Sequence, residues 1–280
     1  MPVKSLRRAT ALFAVALCLC LAPAAFAAGL DAFKDQSGNL DIAGGTAHIP
    51  VMKDAAKAVM DANPKITITI AGGGSGVGVQ KVGEGLVQIG NTGRALSPEE
   101  IAKYGLASFP FAIDGVAVAL NPANPVSALT AAQVKDIYAG KVTNWKAVGG
   151  ADAAITLYTR DEASGTREVF WEKLLKKGEI AASANVVASN GAMKVAVAQD
   201  PNAIGYVGIG FIDATIKAPA LDGVAPSQES AADGSYPIVR KLYMNTKGEP
   251  QGLTKAFIDF ILAPENVDLI TASGYIPLKK

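Results

Sequence analysis

An α/β fold with mostly parallel sheet is the class this chain predicts, and three observations carry it. Short β-like runs alternate with segments whose apolar residues fall at helical spacing. Several of these strands end in glycines and small hydroxyl residues where the next helix opens, the layout of strand-to-helix turns in open sheets. The 280-residue chain keeps roughly 250 residues beyond its N-terminal leader, enough core for one large domain or two smaller ones.

The leader comes first. Residues 1–27 carry Lys4, Arg7 and Arg8, then the apolar run "ALFAVALCLCLA", then "PAAFA", which together make a basic region, an apolar region and a small-x-small cleavage site. This predicts a secretory signal peptide cut after Ala27, since the apolar run is short of the ~20 residues a spanning helix needs. Cys18 and Cys20 follow Leu17 and Leu19 rather than the small residue that precedes a lipid-modified cysteine, which disfavours a lipoprotein. The twin arginine in "SLRRAT" is not followed by a convincing twin-arginine export signal.

Beyond the leader, "NLDIAGG" (39–45) predicts a strand ending in glycines, and "HIPVMKDAAKAVMDANP" (48–64) a helix stopped at Pro64. "KITITIAGGG" (65–74) predicts a strand, "SGVGVQKVGEG" (75–85) a helix, and "VQIGNTGRAL" (87–96) a strand then a loop. "SPEEIAKYG" (97–105) opens with Ser, an early Pro and two acids, a helix-start signature. "ASFPFAIDGVAVALNP" (107–122) is a long extended stretch. "TAAQVKDIYAG" (130–140) is a helix with Thr130 as cap and Gly140 at its stop. "AITLYTR" (154–160) is a strand running into "RDEASGTREVFWEKLL" (160–175), a helix beginning near Thr166. "AMKVAVAQDPNAIGYVGIG" (192–210) gives a helix then a strand, "YPIVRKLYMNT" (236–246) a strand, and "GLTKAFIDFILAP" (252–264) a helix before the tail "GYIPLKK". Residues 218–235 are the most loop-like piece, and no internal repeat is evident.

Composition excludes several functions. Without the three basic residues of the leader, 23 basic side chains face 25 acidic ones, a net charge of −2. A near-neutral chain lacks the basic face that nucleic acid demands. Both cysteines lie in the leader and His48 is the single histidine, so a zinc site of His and Cys is excluded and a Ser-His-Asp triad would have to use His48. The run "AGGGSGVGVQ" fits neither G-x-G-x-x-G, nor the P-loop, nor G-x-S-x-G, which leaves a turn or a backbone able to approach a small ligand.

Four strand ends carry small hydroxyls or glycine at the start of the next segment: Thr46; Ser75 with Gly76; Asn91, Thr92, Gly93 and Arg94; and Ser164, Gly165 and Thr166. Each is an ordinary cap when taken singly. Together they suggest one anion held by converging helix N-termini, hydroxyls and Arg160.

The stretches "GSGVGVQKVGEGLVQIGNTGRALSPEE", "DGVAVALNPANPV", "LTAAQVKDIYAGKVTNW", "RDEASGTREVF", "AIGYVG" and "GYIPL" resemble the phosphate-binding proteins of bacterial phosphate ABC transporters, over nearly all of the chain from about Asn39 onward. The resemblance implies a two-domain periplasmic binding protein of type II, a venus flytrap with two crossover strands. Domain I would comprise 38–115 plus 236–280, and domain II 116–235. It implies a monomeric, non-enzymatic, exported periplasmic protein with no cofactor, which captures inorganic phosphate in the interdomain cleft and delivers it to permease subunits. Its implied ligands are Thr46, the Ala47 amide, Ser75, Thr92, Arg160, Ser164, Gly165 and Thr166. Some members carry an aspartate where this chain has Gly93, and there the carboxylate accepts the phosphate proton. Glu162 and Asp114 are the two candidate acceptors here, and Arg94 is placed against such an acid, against the anion, or plainly at the surface. A binding protein for sulfate, molybdate or tungstate is the alternative. An exported hydrolase using Ser75 or Ser164 is a further one, although its only base would be His48, expected to be a solvent-side or packing residue.

Overall fold

The computed structural model describes residues 29–278, so the expected leader and its cleavage site lie outside the described residues. The strands are β1 Gly38–Gly44, β2 Ile66–Gly73, β3 Ile89–Thr92, β4 Leu106–Leu120, β5 Ala128–Leu129 and β6 Thr156–Arg160, then β7 Asn185–Val187, β8 Ala203–Gly208, β9 Ala220–Leu221, β10 Val239–Lys247 and β11 Ile276–Pro277. The helices are α1 Ile49–Ala62, α2 Ser75–Gly83, α3 Pro98–Tyr104, α4 Ala131–Tyr138 and α5 Gly165–Lys173, then α6 Asn190–Gln199, α7 Gln228–Ala232, α8 Gly252–Leu262 and α9 Val267–Ala272. No helix among the described residues is long and apolar enough to cross a membrane.

Local chemistry accounts for these elements. α1 buries Val51, Met52, Ala55, Ala56 and Val59, spaced to lie along one helical face. α3 starts with a capping box: the Ser97 hydroxyl accepts from the Glu100 amide and the Glu100 carboxylate accepts from the Ser97 amide. Thr130 and Gln133 do the same for α4, and Gly140, with φ of 72°, follows that helix in the left-handed region.

The main sheet runs β2-β1-β3-β10-β4-β8-β6-β7, with β11 on β4, while β5 and β9 form a separate pair. The pairs β1 with β2, β1 with β3, β6 with β7 and β6 with β8 are parallel, as the βα alternation predicts. Every pair that involves β4 or β10 is antiparallel, so the sheet is mixed rather than mostly parallel. The reason is that β4 and β10 are long extended passages between the two halves, not strands followed by a helical return.

Two large apolar cores result, with a smaller cluster of Ala43, Val79, Val82, Val87, Leu96 and Leu106 beside the first. One gathers residues from Phe33 to Ala112 and from Leu242 to Tyr275; the other gathers residues from Val116 to Ile238. β4 and β10 thread both cores, and Asp114 on β4 stands opposite Arg240 on β10 where the strands leave one core for the other. Tyr236 and Ile238 pack in the second core, a few residues beyond the return expected at 236. The segment 218–235, expected as loop, contains β9 and α7; both are too short for a periodic signal, and α7 is secured by a Ser227–Ser230 capping box.

Candidate anion-binding site

A small cavity lies where several strand ends meet, bounded by residues 45–48 before α1, by Gly74 and Ser75 at the start of α2, by Gly93, and by Arg160 with 164–166 at the start of α5. The 3-10 turn Thr46–His48, rather than an α-helix, leads from β1 into α1. The two sides of the cavity touch directly: the Gly76 amide donates to the Ala163 carbonyl at 3.0 Å. Gly74 permits this approach, since its φ is 89° and a Cβ there would lie 2.6 Å from the Ala163 oxygen. The cavity is small, with about 10 Å³ open to the centre of a water-sized group. That is far below the roughly 300–1,000 Å³ of ordinary small-molecule pockets and favours a small ion.

The hydroxyls at its wall share one arrangement. A hydroxyl has one proton to give and two lone pairs. Thr46 Oγ1 accepts from both the Asn190 amide at 3.2 Å and Asn190 Nδ2 at 3.0 Å. Ser75 Oγ accepts from the Gly93 amide at 3.0 Å, Ser164 Oγ from the Arg167 amide at 3.2 Å, and Thr166 Oγ1 from Asn190 Nδ2 at 3.3 Å. Protein donors thus occupy acceptor sites on all four oxygens, and each keeps its proton to donate. Ser164 is also the ordinary cap of α5, so capping and ligand-facing roles coincide in one side chain.

Arg160 ends β6 and is 2% exposed. Its backbone amide donates to the Tyr206 hydroxyl at 3.0 Å, and Tyr206 is itself stacked on Phe170. Its Nη2 donates to the Ala188 carbonyl at 3.0 Å, whereas Nε and Nη1 have no partner among the described residues. Burial pulls its pKa downward, yet a guanidinium stays charged in proteins. A buried cation with two unpartnered donor nitrogens is costly unless an anion completes it.

The expected ligands divide. Thr46, Ala47, Ser75, Arg160, Ser164, Gly165 and Thr166 all border the cavity. Thr92 does not: its hydroxyl donates to the Arg94 carbonyl at 2.8 Å and accepts from Asn245 Nδ2 at 3.0 Å, so the sheet interior consumes it. Glu162 is exposed and off the cavity wall. Asp114 is buried behind the wall, with both Arg240 Nε (3.0 Å) and Nη2 (2.7 Å) on its Oδ2 and the Ile209 amide on its Oδ1 (3.2 Å). Burial pushes its carboxyl pKa up, while Arg240 and the Ile209 amide pull the other way. Neither candidate proton acceptor therefore reaches the cavity, and no Asp or Glu among the described residues lines it. Arg94 faces acids rather than the cavity: it forks onto Glu100 at 2.7 Å and bridges to Glu168 on α5 at 2.8 Å.

Two residues around the cavity went unassigned at the sequence level, and a third, His48, was expected elsewhere or in packing. Asn190 is fully buried at the start of α6, its Oδ1 held by the Gly208 amide so that Nδ2 points at Thr46 and Thr166. Nothing local in "ASNGAM" marks it, because both hydroxyl partners lie on other segments. Arg240 borders the cavity from β10, a position that only strand pairing reveals. His48, expected at the solvent side or in packing, is fully buried against the cavity, where Nδ1 meets the Gly45 carbonyl at 3.1 Å; burial lowers its pKa to about 3, so it is neutral at physiological pH.

A family profile described as a PBP superfamily domain matches residues 32–265. Phosphate-binding protein PstS of Bacillus subtilis is 38% identical over 248 residues, which is 88% of this chain and 82% of that protein. Among solved structures, a candidate phosphate ABC transporter substrate-binding protein with bound phosphate from Clostridium perfringens aligns at a TM-score of 0.82 and 36% identity, covering 86% of this chain and all of the other. An ABC-type phosphate transport receptor from Vibrio cholerae aligns at 0.68 and 33%, covering 85% of this chain and 99% of the other.

Proposed function

The chain belongs to the PstS family of phosphate-binding proteins within the PBP superfamily, and on that premise we propose that its cavity holds inorganic phosphate for delivery to an ABC-type permease. The observation that carries this is the cavity wall: four hydroxyls with acceptor sites taken by the protein, and a buried guanidinium with two spare donors, in a space sized for a small ion. Thr46, Ala47, Ser75, Arg160, Ser164, Gly165 and Thr166 are the ligands in this reading. Several charge-assisted bonds of about 1.5–3 kcal/mol each suffice for micromolar binding, about 8 kcal/mol.

The site draws on both cores, Thr46 and Ser75 from one side and Arg160, Ser164 and Thr166 from the other. Domain I in this reading takes residues up to 115 and from about 239 onward, and domain II lies between them. Closure around the anion excludes water and presents the shape a permease recognises. The protein works as an exported monomer without catalysis, its leader removed near Ala27. A hydrolase gains no support from His48, whose Nδ1 is tied to the Gly45 carbonyl and whose surroundings keep it uncharged. Calorimetric titration of the exported protein with inorganic phosphate is the test. Saturable one-to-one binding is expected, and absence of binding at millimolar phosphate would overturn the proposal.

A further inference from the structure

We propose that the turn of residues 188–190, between β7 and α6, positions the site without touching the anion, and that its Asn190 directs the Thr46 hydroxyl proton at the ligand. The inference rests on the phosphate-binding reading above. None of the three residues borders the cavity, yet the turn holds groups on two of its sides. The Ala188 carbonyl accepts from Arg160 Nη2 at 3.0 Å and so orients the guanidinium whose other two nitrogens lack partners among the described residues. The Ser189 hydroxyl caps α6 by accepting from the Ala192 amide at 2.9 Å. The Asn190 amide is one of the donors a helix start leaves unpaired, and it donates outward to Thr46 Oγ1 at 3.2 Å.

The Asn190 side chain is fully buried, and its carboxamide has a single consistent orientation. Oδ1 accepts from the Gly208 amide at 3.1 Å, which leaves Nδ2 to spend its two protons on Thr46 Oγ1 at 3.0 Å and Thr166 Oγ1 at 3.3 Å. The two donors on Thr46 Oγ1 fill both of its lone pairs, so its proton points away from α6, and Thr46 borders the cavity. These bonds also join the two halves of the molecule. Ala47, next to Thr46, packs in the first core, whereas Met193 and Val197 of α6 pack in the second. A hydroxyl free to turn offers an anion a lone pair as readily as a proton; one held as Thr46 is held offers the proton alone. Bringing α6 against Thr46 thus converts an indifferent hydroxyl into a fixed donor.

A double-mutant cycle tests this, with inorganic phosphate titrated calorimetrically into wild type, Asn190→Ala, Thr46→Val and the two changes combined. Asn190→Ala is expected to weaken binding about tenfold in the wild-type chain, as loss of one ordinary hydrogen bond does, and by no more than about threefold where Thr46 is already valine and only Thr166 is left to orient. A side chain that merely held α6 in place would cost the same in both backgrounds. Equal losses, or an Asn190→Ala variant that binds phosphate like wild type, would overturn the proposal. Should Asn190→Ala not fold, Asn190→Asp takes its place in the cycle: it keeps an oxygen for the Gly208 amide and exchanges the donor for an acceptor. Its loss is again expected to shrink in the Thr46→Val background, and equal losses overturn the proposal as before. Wild type that fails to bind phosphate at all would overturn the phosphate reading and this proposal with it, whereas equal losses in a chain that binds phosphate overturn this proposal alone.

Discussion

Replacing Arg160 by methionine separates affinity from stability, because the two should move in different directions. In the free protein the guanidinium is buried, with Nη2 on the Ala188 carbonyl and Nε and Nη1 without partners among the described residues. If the anion takes those two donors, the variant forfeits two charge-assisted bonds, about 3–6 kcal/mol at 1.5–3 kcal/mol each, or roughly 10²- to 10⁴-fold in affinity at 1.4 kcal/mol per tenfold. Ser75→Ala forfeits one such bond, about 1.5–3 kcal/mol, and strands the Gly93 amide besides. Without phosphate, Arg160→Met trades an incompletely satisfied buried charge for an apolar chain of similar length, at the cost of one donor to Ala188, so its stability should match or exceed wild type. Calorimetric titration with phosphate and urea denaturation without it measure the two quantities. A loss of affinity no larger than that of Ser75→Ala, or a folded state clearly weakened by the substitution, would refute the reasoning.

Other substitutions probe the surrounding network. Asn190→Ala should weaken phosphate binding by about tenfold, a value of one ordinary hydrogen bond or so, because Thr46 and Thr166 lose the donor that orients them; titration at matched fold stability checks it. Glu162→Gln should leave both phosphate affinity and sulfate competition unchanged, since Glu162 is exposed and off the wall, and a change in either measurement would return it to the site. His48 has a folded pKa near 3 and an unfolded value near 6.5, so the unfolded chain binds more protons between them; its contribution is present above about 6.5 and is lost as pH falls, at about 1.4 kcal/mol per unit. His48→Gln should flatten urea-derived stability between pH about 6.5 and about 5 relative to wild type. Glu168→Gln removes a half-exposed bridge to Arg94 and should speed phosphate release in stopped flow by no more than several-fold, as pairs of about 1 kcal/mol or less do.

Sequence reasoning reached what is local and stopped where pairing across the fold begins. Each strand-to-helix turn around the site was visible, because glycines and hydroxyls at strand ends are short-range signals, and so were the Ser97 and Thr130 helix starts. The antiparallel course of β10 between β3 and β4 was not visible, since a run such as "YPIVRKLYMNT" fits either direction. With it went Arg240, which reaches the cavity only through its register with Asp114. Thr92 failed for a related reason: its hydroxyl looked equivalent to the others until Asn245, from the far end of the chain, was seen to engage it. Glu162 looked suitable because it lies between Arg160 and Ser164, yet in that turn its side chain is exposed while theirs are buried.

β4 and β10 run from one core towards the other as an antiparallel ladder with a register shift at Leu242/Tyr243, and the Asp114–Arg240 pair sits near its end, where the cores meet. A body that swings about such a ribbon has a fulcrum and a rim. Points at the fulcrum barely travel, whereas points at the far edge sweep the whole arc. Arg94 and Glu168 form a bridge away from the ladder, from β3's end to α5, and in the flytrap reading such a bridge would report on how long the jaws stay shut. Arg240, held on Asp114 across the ladder, would be a fulcrum point. In that reading a mutational map of this protein should sort by distance from the ribbon, with bound-state lifetimes most sensitive at the edge.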